Sequence, residues 1–150
     1  LQPEHISCYS LTIEPQTVFG KWAKYGKLRI TEDEVAARHL EILMDKLEDA
    51  GYEHYEVSNF AKPGYYSKHN SSYWKGETYL GVGPSAHSYN KESRQFNIAN
   101  NHLYMRAIST GTVPFEKEIL SKADKINEFI LTSLRTSWGC DTQRLIREFE

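Results

Sequence analysis

From Val35 onward, Leu40, Leu43, Met44 and Leu47 recur at helical spacing, and both flanks of this run read as strands. Thr31 and Glu34 stand at the separation of a capping box, and Gly51 supplies a C-terminal stop. The preceding stretch HISCYSLTI, His5 to Ile13, is rich in β-branched and aromatic residues and closes at Glu14-Pro15, which predicts a strand feeding a loop. The following stretch HYEVSNFA, His54 to Ala61, predicts a second strand reached by a very short connection. Strand, helix and strand in that order predict an α/β fold with a parallel sheet and the helix over one face.

Beyond this unit the pattern is more broken. Pro63 to Gly76 is dense in Pro, Gly, Asn and Ser and predicts a long loop. Thr78 to Tyr89 predicts a third, glycine-interrupted strand, followed by an irregular stretch to Asn101. His102 to Thr110 predicts a short helix closed by Gly111, with Leu103, Ala107 and Ile108 inward. Ser121 and Asp124 cap a helix carrying Ile126, Phe129, Ile130 and Leu134, and Asp141 opens another with Leu145, Ile146 and Phe149. The chain starts without Met just before a strand and stops within an amphipathic helix, so a piece of a longer polypeptide is expected.

Charge narrows the partners. Eighteen basic residues face 20 acidic ones for a net charge of -2, with no block of like charge, so nucleic acid is a poor partner. Two cysteines, Cys8 and Cys140, are too few for a disulfide framework or a metal knuckle and fit a reducing, cytoplasmic setting. No secretory segment and no transmembrane run is present, so the chain reads as soluble. The aromatic residues are unevenly placed: Tyr65, Tyr66, Tyr73, Trp74, Tyr79 and Tyr89 crowd into one third of the chain. Tyr and Trp combine a large apolar body with a polar tip and so suit half-buried positions facing a ligand or partner.

Several motifs compete for a chemical role. Gly81-Val82-Gly83-Pro84-Ser85-Ala86 matches the letter of a dinucleotide fingerprint, but Pro84 removes a donor and no amphipathic helix follows. A strand end where backbone approaches backbone closely is the plainer reading. His87 and Ser88 are adjacent, so in extended chain they point to opposite faces, and no nucleophile elbow surrounds Ser88. Glu14 and Glu56 could form an acid-base pair only if the fold set their separation. His39 falls on the first helix as a packing or surface residue. His69, in SKHNSSYWKG, has Tyr73 and Trp74 close by. An imidazole beside flat rings suits haem iron and a planar macrocycle, and turn capping with the rings packed on the sheet is the alternative. The residues by themselves leave both open.

Six phrases taken together resemble one family: HISCYSLTIEP, AGYEHYEVSNFA, KHNSSYW, YLGVGPSAHSY, RQFN with Arg94 and Asn97, and INEFILTSLRTSWGCD. They are similar, in order and over essentially all 150 residues, to the radical S-adenosylmethionine proteins that include oxygen-independent coproporphyrinogen III oxidases and related haem chaperones. The phrase H-N-x-x-Y-W, His69 to Trp74, looks like the chaperone branch. The resemblance implies an α/β fold: the C-terminal part of a partial (β/α) TIM-like barrel over 1–113, then the start of a helical C-terminal domain over 114–150. It implies haem or porphyrin as ligand, His69 as the candidate ligand of haem iron, and Asn70, Tyr73 and Trp74 lining or orienting the porphyrin. Ser10 and Thr12 would face the S-adenosylmethionine side of the barrel mouth. Haem-accepting apo-proteins would be the partners, and a homodimer stays open.

The departure from that family is as informative. Its members hold a [4Fe-4S] cluster through a C-x-x-x-C-x-x-C run, which this chain lacks, so those cysteines are expected N-terminal to Leu1 and the chain should not perform radical chemistry alone. The competing functions are oxidative decarboxylation of coproporphyrinogen III, for which Lys68, Lys75 and Arg94 would hold propionates, and a structural barrel fragment without ligand.

Overall fold

A computed structural model describes residues 1–149, which form a mixed α/β protein of two compact units, Leu1–Tyr66 and a second beginning at Ser67. In the first unit the order is β1 (His5–Ser7), α1 (Val18–Lys24), α2 (Asp33–Asp49), β2 (Glu53–Glu56) and β3 (Asn59–Ala61). The expected parallel pairing does not form. β3 lies between β1 and β2 and runs antiparallel to both, so β1 and β2 point the same way but pair only through β3.

The single strand expected over 54–61 is a hairpin, and the reason is a side chain. The buried Glu56 carboxylate accepts from the Ser58 backbone N–H at 3.1 Å and from the Asn59 amide, fixing a turn at Val57-Ser58. Asn59 in turn accepts from the Ser7 hydroxyl at 2.7 Å, tying β3 to β1. Tyr55 and Phe60 are buried, each placement stabilising by roughly 1.5–3 kcal/mol, and the Tyr55 hydroxyl meets His5 Nε2 at 2.8 Å.

Two local expectations shift. The strand read over 5–13 stops at Ser7, and a short helix follows, capped where the Thr17 hydroxyl accepts from the Gly20 N–H. Helix α2 begins a residue later than the Thr31-Glu34 box requires, with Glu32 at the N-cap and no side-chain cap. Asp33 and Glu34 in its first turn complement the helix dipole instead. Its stop is as expected, with Gly51 at φ +80, a conformation that strains any residue with a Cβ.

The second unit contains α3 (Lys68–Trp74), β4 (His87–Tyr89), β5 (Ser93–Asn97), α4 (Asn101–Ser109), β6 (Phe115–Ile119), α5 (Lys122–Leu134) and α6 (Thr142–Phe149). Half of the long loop expected over 63–76 is helix α3, because the Ser67 hydroxyl accepts from the Asn70 N–H and starts the first turn. Strands β4, β5 and β6 form an antiparallel meander, and β5 and β6 were not expected from the pattern. β6 is exposed along its length and carries Glu116, Lys117 and Glu118, charges that suit an open sheet edge. The capping box of Ser121 and Asp124 forms as expected, and the Asp141 carboxylate accepts from the Arg144 N–H at the start of α6.

The close approach expected near Gly81 is present: a Cβ there would land on the His87 carbonyl oxygen. The Gly81 N–H donates to the Ser88 hydroxyl at 3.0 Å and the Gly83 N–H to the Tyr104 hydroxyl at 3.2 Å. With these donors engaged inside the protein, the glycine turn has no open amide cradle for a pyrophosphate.

Candidate functional site

Helix α3 brings His69 and Tyr73 together because residues four apart share a face. Their rings meet edge-on, with centroids 5.0 Å apart and planes at 86°. Tyr73 continues edge-on to Tyr79 at 4.8 Å, and Tyr79 lies 5.9 Å from Tyr89. Backbone bonds in both directions between Tyr79 and Tyr89, at 3.0 and 2.9 Å, hold the far end of this row. The result is a file of rings that begins at an exposed imidazole and ends in the sheet.

Trp74 leaves α3 on another side. The Arg135 guanidinium lies over its ring at 4.8 Å, and its Nε1–H is buried without an acceptor. A buried donor left unpaired costs about 1–3 kcal/mol, so this position stores a demand for an acceptor. Asn70, half-buried, stands in the first turn with its N–H on Ser67.

Tyr73, Trp74, Tyr79, Tyr89, Phe129 and Phe149 contribute rings to the wall of one cavity of about 730 Å³, within the range of small-molecule sites. His69 is not in that wall; it stands outside it, against Tyr73. Arg94 and Glu128 pair at 2.5 Å within the cavity. Burial, reinforced by the Glu128 charge, raises the Tyr89 phenol above its ordinary value, so Tyr89 stays a neutral donor. The hydrogen bond from Arg144 lowers Glu148 below the ordinary carboxylate range, keeping that pair charged.

The remaining candidates separate from this cluster. Ser10 and Thr12 are exposed in the irregular stretch after β1, in the first unit, rather than at the end of a long strand. Glu56 is sealed in the hairpin turn, whereas Glu14 is exposed before α1. His87 is exposed on β4, Ser88 is engaged with Gly81, and His39 is exposed on α2. Sequence reasoning placed Tyr89 in the aromatic cluster but missed Phe129, Lys91 and Lys122 as members of a shared cavity. Their separation in the chain left no local signal, although the local excess of Tyr pointed to the neighbourhood.

Among the described residues no group of three or more His, Cys, Asp or Glu side chains is placed to hold a metal ion. Two cysteines, one in each unit, cannot supply the three thiolates of an S-adenosylmethionine cluster, so that cluster does not fit this chain by itself. His69 does fit a single axial contact, since its ring is exposed and braced on one edge by Tyr73. No helix is long and apolar enough to cross a membrane.

No family model matches the chain. The Heme chaperone HemW of Lactococcus lactis is 37% identical over 150 residues, covering 100% of this chain and 39% of that protein. HemW of Bacillus subtilis is 36% identical over 150 residues, with 99% of this chain and 40% of the relative covered. The mitochondrial radical S-adenosyl methionine domain-containing protein 1 of Bos taurus is 31% identical over 149 residues, covering 93% and 34%. Among solved structures, coproporphyrinogen III oxidase (HemN) from Escherichia coli, described as a radical SAM enzyme, matches with a TM-score of 0.73 at 16% identity. That match covers 99% of this chain and 37% of the oxidase, and it establishes a shared fold. The chain spans about two fifths of the length of the HemW relatives it matches.

Proposed function

We propose that this chain, a homologue of the HemW haem chaperones along its whole length, is the haem-facing portion of a longer chaperone. The observation that carries the reading is the exposed His69 ring braced edge-on by Tyr73 at 5.0 Å. Haem would supply an iron that takes an imidazole nitrogen as ligand. His69 would provide that nitrogen, Tyr73 would limit the swing of its ring, and Asn70 and Trp74 would stand beside the bound porphyrin. Accessibility favours transfer as well as capture, because a ligand held on an exposed side chain can be passed to haem-accepting apo-proteins without unfolding the donor.

In the longer protein the first unit would belong to a partial (β/α) radical SAM barrel over 1–113, with 114–150 opening a helical domain. The [4Fe-4S] cysteines would lie in the part of the relatives' length that this chain does not span, and Ser10 and Thr12 would face S-adenosylmethionine. A cytoplasmic setting fits two cysteines that form no disulfide.

The oxidase alternative needs cations ready for propionates, and two of its three candidates, Arg94 and Lys75, are already engaged. Arg94 is paired with Glu128, and the Lys75 ammonium lies over the Trp138 ring at 5.3 Å. Haem titration of the full-length protein, with coproporphyrinogen III turnover assayed in parallel, separates the two. Stoichiometric binding without turnover is expected; turnover at the rate of porphyrin synthesis would reverse the reading.

A further inference from the structure

The cavity in the second unit has a composition that the His69 account does not use. Its walls are aromatic, and six cationic side chains line it against four carboxylates. Three of the cations are neutralised by neighbours: Arg94 by Glu128, Lys125 by Glu92 and Arg144 by Glu148. Lys75 lies over Trp138. Among the described residues Lys91 and Lys122 form no ion pair, which leaves an excess of positive charge at an aromatic wall.

Both lysines sit on backbone that is held in place. Lys91 occupies the β4–β5 turn at φ +74, where the Asn90 carboxamide oxygen accepts from the N–H groups of Glu92 and Ser93 at 3.0 and 2.8 Å. A left-handed conformation at a lysine is uncommon and is maintained here by those bonds. Lys122 is the first residue of α5, directly after the capping box. A cation at a helix N-terminus opposes the helix dipole, so Lys122 does not help its own helix.

We propose that this cavity binds a planar aromatic ring system that carries carboxylates. The rings would lie against Tyr79, Tyr89 and Phe129, and the carboxylates would meet Lys91 and Lys122. Charge-assisted contacts to two ammonium groups carried on held backbone would set the preference for a dianion, and the flat walls would set the preference for a ring. Identifying the ring as a tetrapyrrole rests on the haem reading above; the preference for a flat dianion stands on the cavity alone.

The test is equilibrium titration of the full-length protein with metal-free protoporphyrin IX, read by porphyrin fluorescence. Its dimethyl ester and ATP serve as comparison ligands. The expected result is saturable binding of the free acid, weakened about a hundredfold in Lys91→Glu/Lys122→Glu, with the ester binding both proteins alike and ATP competing poorly. Equal affinity for acid and ester would overturn the carboxylate assignment, and effective competition by ATP would replace it with a phosphate site. Undiminished binding in the double variant, with its circular dichroism unchanged, would overturn the site. The milder Lys91→Gln/Lys122→Gln protein guards against misfolding and should show the same direction of loss. Because the probe carries no metal, its binding does not read the iron ligand, so this test and the haem titration can fail separately.

Discussion

The imidazole of His69 stands at 86° to the ring of Tyr73, with centroids 5.0 Å apart, one helical turn along the same face of α3. An exposed histidine on an isolated surface helix would sample several rotamers. The contact with Tyr73 restricts that freedom while His69 stays exposed.

Haem affinity should therefore depend on the ring at position 73 rather than on its hydroxyl. An edge-on aromatic pair contributes about 0.5–1.5 kcal/mol, so Tyr73→Ala is expected to weaken haem binding by up to about tenfold. Tyr73→Phe should be close to wild type. Soret-band titration of both variants checks this, and equal loss in the two would point to the hydroxyl instead.

Stability of the first unit should depend on a buried carboxylate. Glu56 is 2% exposed and receives the Ser58 N–H and the Asn59 amide. Glu56→Ala leaves those donors without their acceptor and is expected to cost about 2–4 kcal/mol, read from urea unfolding. A loss below about 0.5 kcal/mol would mean that water replaces the carboxylate.

Gly81→Ala should destabilise the second unit by about 1–3 kcal/mol, because the new methyl group meets the His87 carbonyl. Thermal unfolding measures it. Gly76→Ala provides the contrast: that residue, at φ +68, would suffer backbone strain but meets nothing within 4 Å. Similar losses in both would show that backbone conformation, not the close approach, dominates.

The Ser121-Asp124 box makes an acid-sensitive contribution. Hydrogen bonds from the Ser121 hydroxyl and backbone hold the Asp124 carboxyl below its ordinary value. A carboxyl with a depressed folded value contributes stability that is present above the unfolded value and is lost as pH falls through the folded one. Amide-exchange protection in α5, corrected for the intrinsic pH dependence of exchange, should fall below about pH 4, and Ser121→Ala should show much less of that dependence. An identical acid profile in the two proteins would remove the box from the account.

Legibility followed the range of the interactions. α2, α4, α5 and α6 could be read because their apolar spacing or their caps are local, and Gly51 and Gly111 end two of them. The hairpin of β2 and β3 was hidden because the turn has no Gly or Pro, carries the strand former Val57, and is held by the Glu56 side chain. α3 was hidden by its Ser and Asn content, whose preference for turns is overridden by the Ser67 cap. Strand β6 is short and charged, and it pairs with β5 across an intervening helix. His69 with Tyr73 and Trp74 was visible as a motif, whereas the cavity draws Tyr73, Tyr89, Lys122 and Phe129 from segments whose meeting only the fold defines.

The most direct measurement is a Soret titration of haem into the full-length protein and its His69→Ala variant, each with and without free imidazole. A ligand role predicts stoichiometric binding in the wild type, loss in the variant, and partial recovery when imidazole occupies the gap left by the side chain. Binding by His69→Ala with the wild-type spectrum and affinity would contradict the account.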